Sequence, residues 1–124
     1  MKKSPEQNSF ELKVSQDQEE KIEVCIQYSG SEEKTNMVVA EIEMLSGFVP
    51  NDNTLKDLKF TKKVEYEDET QTLALYFNEI PREELCLSVD VKEKIKIEDR
   101  KPAIAKVYDY YNQDDIVSIE YSML

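Results

Sequence analysis

Ile22-Glu23-Val24-Cys25-Ile26-Gln27-Tyr28 is the stretch that decides the fold. An apolar side chain at every second position, with Glu23, Cys25 and Gln27 between, describes a strand with one dry and one wet face. The same period recurs on either side. It runs through Phe10, Leu12 and Val14, then through Val38, Ala40, Ile42 and Met44, and more briefly through Val64 and Tyr66. Further on come Leu73, Leu75 and Phe77, then Leu85, Leu87, Val89 and Val91, and finally Val117, Ile119 and Tyr121. Turn-formers such as Ser29-Gly30-Ser31 and the run from Asn78 to Pro81 separate these segments. Seven or more short antiparallel strands with one wet and one dry face predict an all-β, two-sheet antiparallel β-sandwich. One segment breaks the period. Asn51-Asp52-Asn53-Thr54 offers capping side chains, after which Leu55 and Leu58, like Lys56 and Lys59, fall three apart. This spacing predicts one short α-helix of about two turns, leucines inward and lysines outward, dependent on the sandwich for its stability.

The rest of the composition bounds what such a domain can do. A chain of 124 residues supports one core and hides roughly two-thirds of its unfolded surface, so residues 10–124 read as one domain behind a polar, disordered lead-in at 1–9. Histidine is absent, which removes Ser-His, Cys-His and His-metal chemistry. Gly30 and Gly47 are the only glycines, too few for a loop that cradles phosphates, and no cofactor is expected. With 27 Asp and Glu against 16 Lys and Arg, the net charge of -11 opposes nucleic acid and anionic lipid surfaces. No apolar run is long enough for membrane insertion, and Met1-Lys2-Lys3 leads into polar residues rather than a signal-peptide core. A secreted, extracellular protein would therefore carry this chain as a piece of a longer precursor.

Three further stretches carry a resemblance. Asn36-Met37-Val38-Val39-Ala40-Glu41-Ile42-Glu43-Met44-Leu45-Ser46-Gly47-Phe48-Val49-Pro50 resembles the strand, Ser-Gly-Phe turn and helix start of the C-terminal receptor-binding domain of alpha-2-macroglobulins. Lys101-Pro102-Ala103-Ile104-Ala105-Lys106-Val107-Tyr108-Asp109-Tyr110-Tyr111 is similar to that domain's penultimate strand, and Leu73 to Phe77 to its Leu-x-x-Tyr strand. The resemblance spans roughly residues 10–121 and extends to the complement components and insect thioester-containing proteins. It implies a sandwich of about nine strands with a single short helix, at the end of a large secreted protein of the protease-inhibitor or innate-immune kind. Neither a thioester motif nor a protease bait region is present here, so the resemblance gives this chain no covalent trapping step and no enzyme activity.

Cys25 shares its phase with Glu23 and Gln27, and Cys86 with Ser88 and Asp90, so both point away from the apolar face. If their strands are neighbours, facing cysteines at a non-hydrogen-bonded pair lie within disulfide reach, and a Cys25–Cys86 bond follows. Complement-type relatives look similar here, with a cysteine in each of the two matching strands. Glu65, Glu67, Asp68 and Glu69, and Asp109, Asp114 and Asp115 around Asn112, are read as solvated loop carboxylates without an EF-hand pattern or a cleft. Tyr108, Tyr110 and Tyr111 are read as sheet packing with hydroxyls at the rim, which agrees with a Tyr-Asp-Tyr-Tyr framework in the resembling family.

The lysines run against the overall charge. Residues 54–63 hold Lys56, Lys59, Lys62 and Lys63 against Asp57, a local +3 in a chain of -11. The resemblance implies a use for them: receptors of the low-density-lipoprotein family bind lysines through acidic, calcium-loaded modules, and an alpha-2-macroglobulin presents two such lysines four apart on its short helix. Aligned through Gly47-Phe48-Val49-Pro50, those positions are Asp52 and Lys56 here, so only the second lysine is kept. Lys59, one turn beyond Lys56, could supply the other ammonium, and Lys62 and Lys63 longer-range attraction. The alternative is a structural domain that packs against neighbouring macroglobulin-type domains of its parent without binding a receptor.

Overall fold

A computed structural model describes residues 9–17, 20–31, 35–51 and 60–123. Among the described residues nine strands run in chain order: β1 (Phe10–Gln16), β2 (Lys21–Tyr28), β3 (Val38–Glu43), β4 (Phe48–Pro50), β5 (Lys63–Glu67), β6 (Thr72–Phe77), β7 (Leu85–Glu93), β8 (Ala103–Asp109) and β9 (Ile116–Tyr121). They form a four-stranded sheet, β1-β2-β7-β4, and a five-stranded sheet, β5-β6-β3-β8-β9, antiparallel throughout. The expected sandwich is therefore the fold. No helix occurs among the described residues. The expected short helix falls on residues 52–59, outside them, as does the lead-in at 1–8. Ser9 belongs to the fold, since its N–H donates to Asp115 Oδ1 at 2.9 Å and its carbonyl accepts the Ser29 N–H at 2.7 Å.

The period-two residues become the core. Ile22, Val24 and Ile26 on β2 and Leu87, Val89 and Val91 on β7 meet Ala40 and Ile42 on β3, Leu73, Leu75 and Phe77 on β6, and Ala105 and Val107 on β8. Burying one such large side chain contributes on the order of 2 kcal/mol, and together they outweigh the ordering entropy of a nine-strand chain. Small residues fill the middle of the five-stranded sheet: Ala40 pairs with both Leu75 and Val107, and Ala105 with Ile42. Alternation fails to predict two buried residues, Val39 and Cys25. Val39 has the outward phase yet is 1% exposed, because it pairs with Tyr76 on one side and Tyr108 on the other and their rings cover it.

At one side of the sandwich β1 lies along β9 and closes the seam with a parallel bridge between Gln16 and Met123. Gln16 is fully buried there and neither amide atom has a hydrogen-bond partner. The opposite side is bounded by the short β4 and by β5, the outer strands of their sheets. Residues 51–62 join those two edges, so the lysine-rich segment is the crossover from one sheet to the other. β4 itself escapes a periodicity reading because three residues are too few to alternate.

Candidate functional site

The Ser46-Gly47-Phe48 turn sets where the crossover starts. Gly47 has φ 87°, and a Cβ there would come within 2.2 Å of Ile95 O, so backbone conformation and space both require glycine. The Gly47 carbonyl accepts the N–H groups of Lys94 at 2.7 Å and Ile95 at 3.2 Å. Arg100 closes the turn. Its Nε donates to Ser46 O at 2.7 Å, its guanidinium pairs with Glu93, and it stacks 4.6 Å from the centre of the Phe48 ring. Nothing in the sequence marked Arg100, which lies in an irregular stretch between β7 and β8 with no period to read.

Where the crossover ends, two of the four candidate lysines come into view; Lys56, Lys59 and Asp52 lie outside the described residues. The Lys62 N–H donates to Tyr76 O at 2.6 Å and fixes the start of β5, while its Nζ reaches Met37 Sδ at 3.9 Å. Lys63 is less free. Its Nζ lies 3.1 Å from the Glu65 carboxylate and 5.7 Å from the centre of the Tyr76 ring. The hydrogen bond to Glu65, then that carboxylate's charge, raises the Lys63 pKa; the same bond, joined by one from Tyr76, lowers that of Glu65. Both groups stand in solvent, where such a pair is screened and weak.

Across the outer face of the five-stranded sheet, Lys63, Tyr76, Val39, Tyr108 and Ile116 form one row, one residue per strand. Tyr108 donates its hydroxyl to Glu41 Oε2 at 2.8 Å, and burial followed by that carboxylate pushes the Tyr108 pKa well up. Below this row lies an open concavity over Ala74, walled by Glu41, Glu65, Glu67 and Tyr76. Its carboxylates are already engaged: Glu41 by Tyr108 and by Lys106 at 3.7 Å, Glu65 by Lys63, and Glu67 by the Thr70 hydroxyl at 3.0 Å.

The tyrosine expectation holds for Tyr108 alone. β8 stops at Asp109, whose carboxylate accepts the N–H groups of Tyr111 at 2.8 Å and Asn112 at 3.1 Å and turns the chain out of the strand. Tyr110 and Tyr111 are therefore not packed across the sheet. They lie exposed on that turn, edge to face with ring centres 5.3 Å apart. Asp109 and Asp115 are turn-building groups, Asp115 through its contact with Ser9 N–H.

Cys25 and Cys86 are register partners on β2 and β7, with Cα atoms 4.1 Å apart, and are joined in a disulfide. Cys25 is nearly buried despite its outward phase, since Lys13 on β1 flanks it opposite Cys86. Glu84 stands beside the pair, but both sulfurs are bonded to each other and offer no thiolate to a metal.

A sequence profile described as the A-macroglobulin receptor binding domain matches residues 33–122, which takes in β3 to β9. The chain belongs to that family. It is a receptor-binding family and not a catalytic one. Complement C3 of Lethenteron camtschaticum is 30% identical over 103 residues, 77% of this chain. This chain spans only 6% of that relative's length. The collagen-binding domain of a Staphylococcus aureus adhesin superposes with a TM-score of 0.47 at 7% identity, over 91% of this chain and 96% of that one, a likeness too loose to bear on function. The A-macroglobulin profile begins after Cys25, so the disulfide ties a strand outside the matched segment to one within it.

Proposed function

We propose that this domain is the receptor-recognition module of a secreted macroglobulin-like or thioester-containing protein of the protease-inhibitor or innate-immune kind. It docks an acidic, calcium-loaded module of a low-density-lipoprotein-type receptor through Lys56, Lys59, Lys62 and Lys63. The observation that carries the reading is the match of residues 33–122 to a receptor-binding family, combined with four lysines concentrated from the β4–β5 connection to the first residue of β5 in a chain of -11. Lys56 and Lys59 supply the ammonium groups that are captured, and Lys62 adds attraction at range. Lys63 contributes less while Glu65 holds it. A disulfide between neighbouring strands fits an oxidising, extracellular setting.

Surface plasmon resonance of the 124-residue chain over such a receptor module, at low and high salt, tests this. Weak, salt-sensitive binding is expected. The double variant Lys56→Ala, Lys59→Ala should abolish it with the melting temperature nearly unchanged, and Asp52→Lys should strengthen it by removing a carboxylate that opposes an acidic partner. Undiminished binding by the double alanine variant would leave the second reading, that the domain only packs against neighbouring domains of its parent. That reading is favoured by one observation: the chain matches 6% of a far longer relative.

A further inference from the structure

Seven large hydrophobic residues are exposed among the described residues, and four of them gather at one end of the five-stranded sheet. Tyr111 is 73% exposed, Phe60 63%, Tyr110 43% and Ile116 37%. The register places them together. Ile116 pairs with Tyr108 at the start of β9, Tyr110 and Tyr111 follow the end of β8, and Phe60 precedes Lys62 and Lys63 at the start of β5. Met37, just before β3, links the two sides of this end: its carbonyl accepts the Tyr110 N–H at 2.9 Å, and its sulfur receives Lys62 Nζ at 3.9 Å. Tyr110 is also within electrostatic reach of Lys63.

We propose that this aromatic end of the sheet, with Tyr111 as anchor and Tyr110, Met37 and Phe60 around it, is the apolar half of the surface on which the acidic receptor module docks. The inference rests on the lysine reading above, because the partner's chemistry comes from charge complementarity with Lys62 and the lysines that precede it. Charges at an exposed rim steer and orient a partner but release it readily, whereas buried aromatic anchors hold it. Tyrosine suits the anchor role, since its ring buries a large area at low entropic cost and its hydroxyl stays wet. The turn is built for presentation. The Asp109 and Asp115 carboxylates are drawn onto backbone N–H groups of Tyr111, Asn112 and Ser9, which fixes the loop and leaves the two rings in solvent. A ring held in place before binding loses little freedom on binding.

The test separates holding from steering. The 124-residue chain is passed over a calcium-loaded ligand-binding module of a low-density-lipoprotein-type receptor. Tyr111→Ser should raise the dissociation rate about tenfold while leaving the salt dependence of association and the melting temperature unchanged. Tyr111→Phe, which keeps the ring, should bind like the parent. Lys56→Ala with Lys59→Ala should instead suppress association itself, so that no binding is measured at low or high salt. If Tyr111→Ser and Tyr110→Ser bind as the parent does while the lysine variant fails, the lysine reading stands and the aromatic surface is overturned. Should the lysine variant bind normally and Tyr111→Ser fail, the lysine reading falls and takes with it the charge argument that makes an acidic module the occupant, which overturns this proposal. No binding by the parent chain would overturn both, and self-association abolished by Tyr111→Ser would identify a second copy as the occupant and overturn the receptor module in that role.

Discussion

In the turn before β4, a Cβ on Gly47 would approach Ile95 O to 2.2 Å, and three contacts from Arg100 hold the surrounding backbone. In the turn after β8, the Asp109 and Asp115 carboxylates and the bond from the Tyr110 N–H to Met37 O hold the backbone, and the Tyr110 and Tyr111 rings meet edge to face in solvent. Both turns lie in stretches that resemble the same family, but for different physical reasons. The first tolerates a single residue type because there is no room for another. Its sequence reports on folding. The second has its two rings exposed rather than packed, so it should fold as well with other side chains there, and an exposed aromatic pair of that kind fits binding.

The contrast extends to the sheets that carry the turns. The four-stranded sheet that receives the Gly47 turn is also pinned by Cys25–Cys86, whereas the five-stranded sheet has no covalent tie. The largest expected effect follows from that tie. With a sequence separation of 61, the bond should stabilise the fold by roughly 4 kcal/mol on chain entropy, an upper figure if part of it is lost to strain. Reduction should lower the melting temperature visibly, and guanidinium titrations with and without reductant measure the loss. Two alkylatable thiols in the intact, unreduced protein would remove the tie and with it this side of the contrast.

Next in size is Gly47→Ala. A positive φ for a residue with a Cβ, added to a 2.2 Å approach to the Ile95 carbonyl oxygen, should cost roughly 2 to 4 kcal/mol. Alanine in place of Tyr111 should cost almost nothing by the same measurement. Equal losses at the two positions would mean that the exposed rings are structural after all.

How far each region was legible follows from the same physics. The inward-facing residues of seven strands could be read because a half-buried strand writes its phase into every second residue, β8 was placed by resemblance alone, and Cys25 and Cys86 could be placed on the outer face by the period-two rule. β4 could not, having only three residues, and Arg100 could not, because nothing periodic connects it to Phe48 and Ser46. Val39 misleads the rule: its phase says outward, while its cover comes from Tyr76 and Tyr108 on strands whose order alternation alone does not supply. Tyr110 and Tyr111 mislead it in the other direction, since a strand period was extended past Asp109, a residue whose side chain ends the strand. The lysines were legible as charge but not as partners. That Glu65 holds Lys63 while Lys62 leans on Met37 depends on side-chain geometry at the start of β5.

The smallest expected effect concerns that last difference. Glu65 has its pKa lowered by Lys63, so its contribution is present above the ordinary carboxylate range and is lost as pH falls through the lowered value. Lys63 has its pKa raised by Glu65, so its contribution is present below the ordinary lysine value of 10.5 and is lost as pH rises through the raised one. Between those limits the pair is fully charged and stability should not vary with pH on its account. Both partners are open to solvent, and salt should erase most of what they contribute. Glu65→Gln should therefore shift the melting temperature far less than Gly47→Ala, and the shift should shrink further at high salt. Its effect on docking should be the more visible one. Releasing Lys63 from its carboxylate adds an unopposed ammonium beside Lys62, so association with an acidic module should quicken at low salt and return to the parent rate at high salt. A large, salt-independent loss of stability in Glu65→Gln would instead make the start of β5 a structural site like the Gly47 turn, and would leave only Lys56, Lys59 and Lys62 for a receptor.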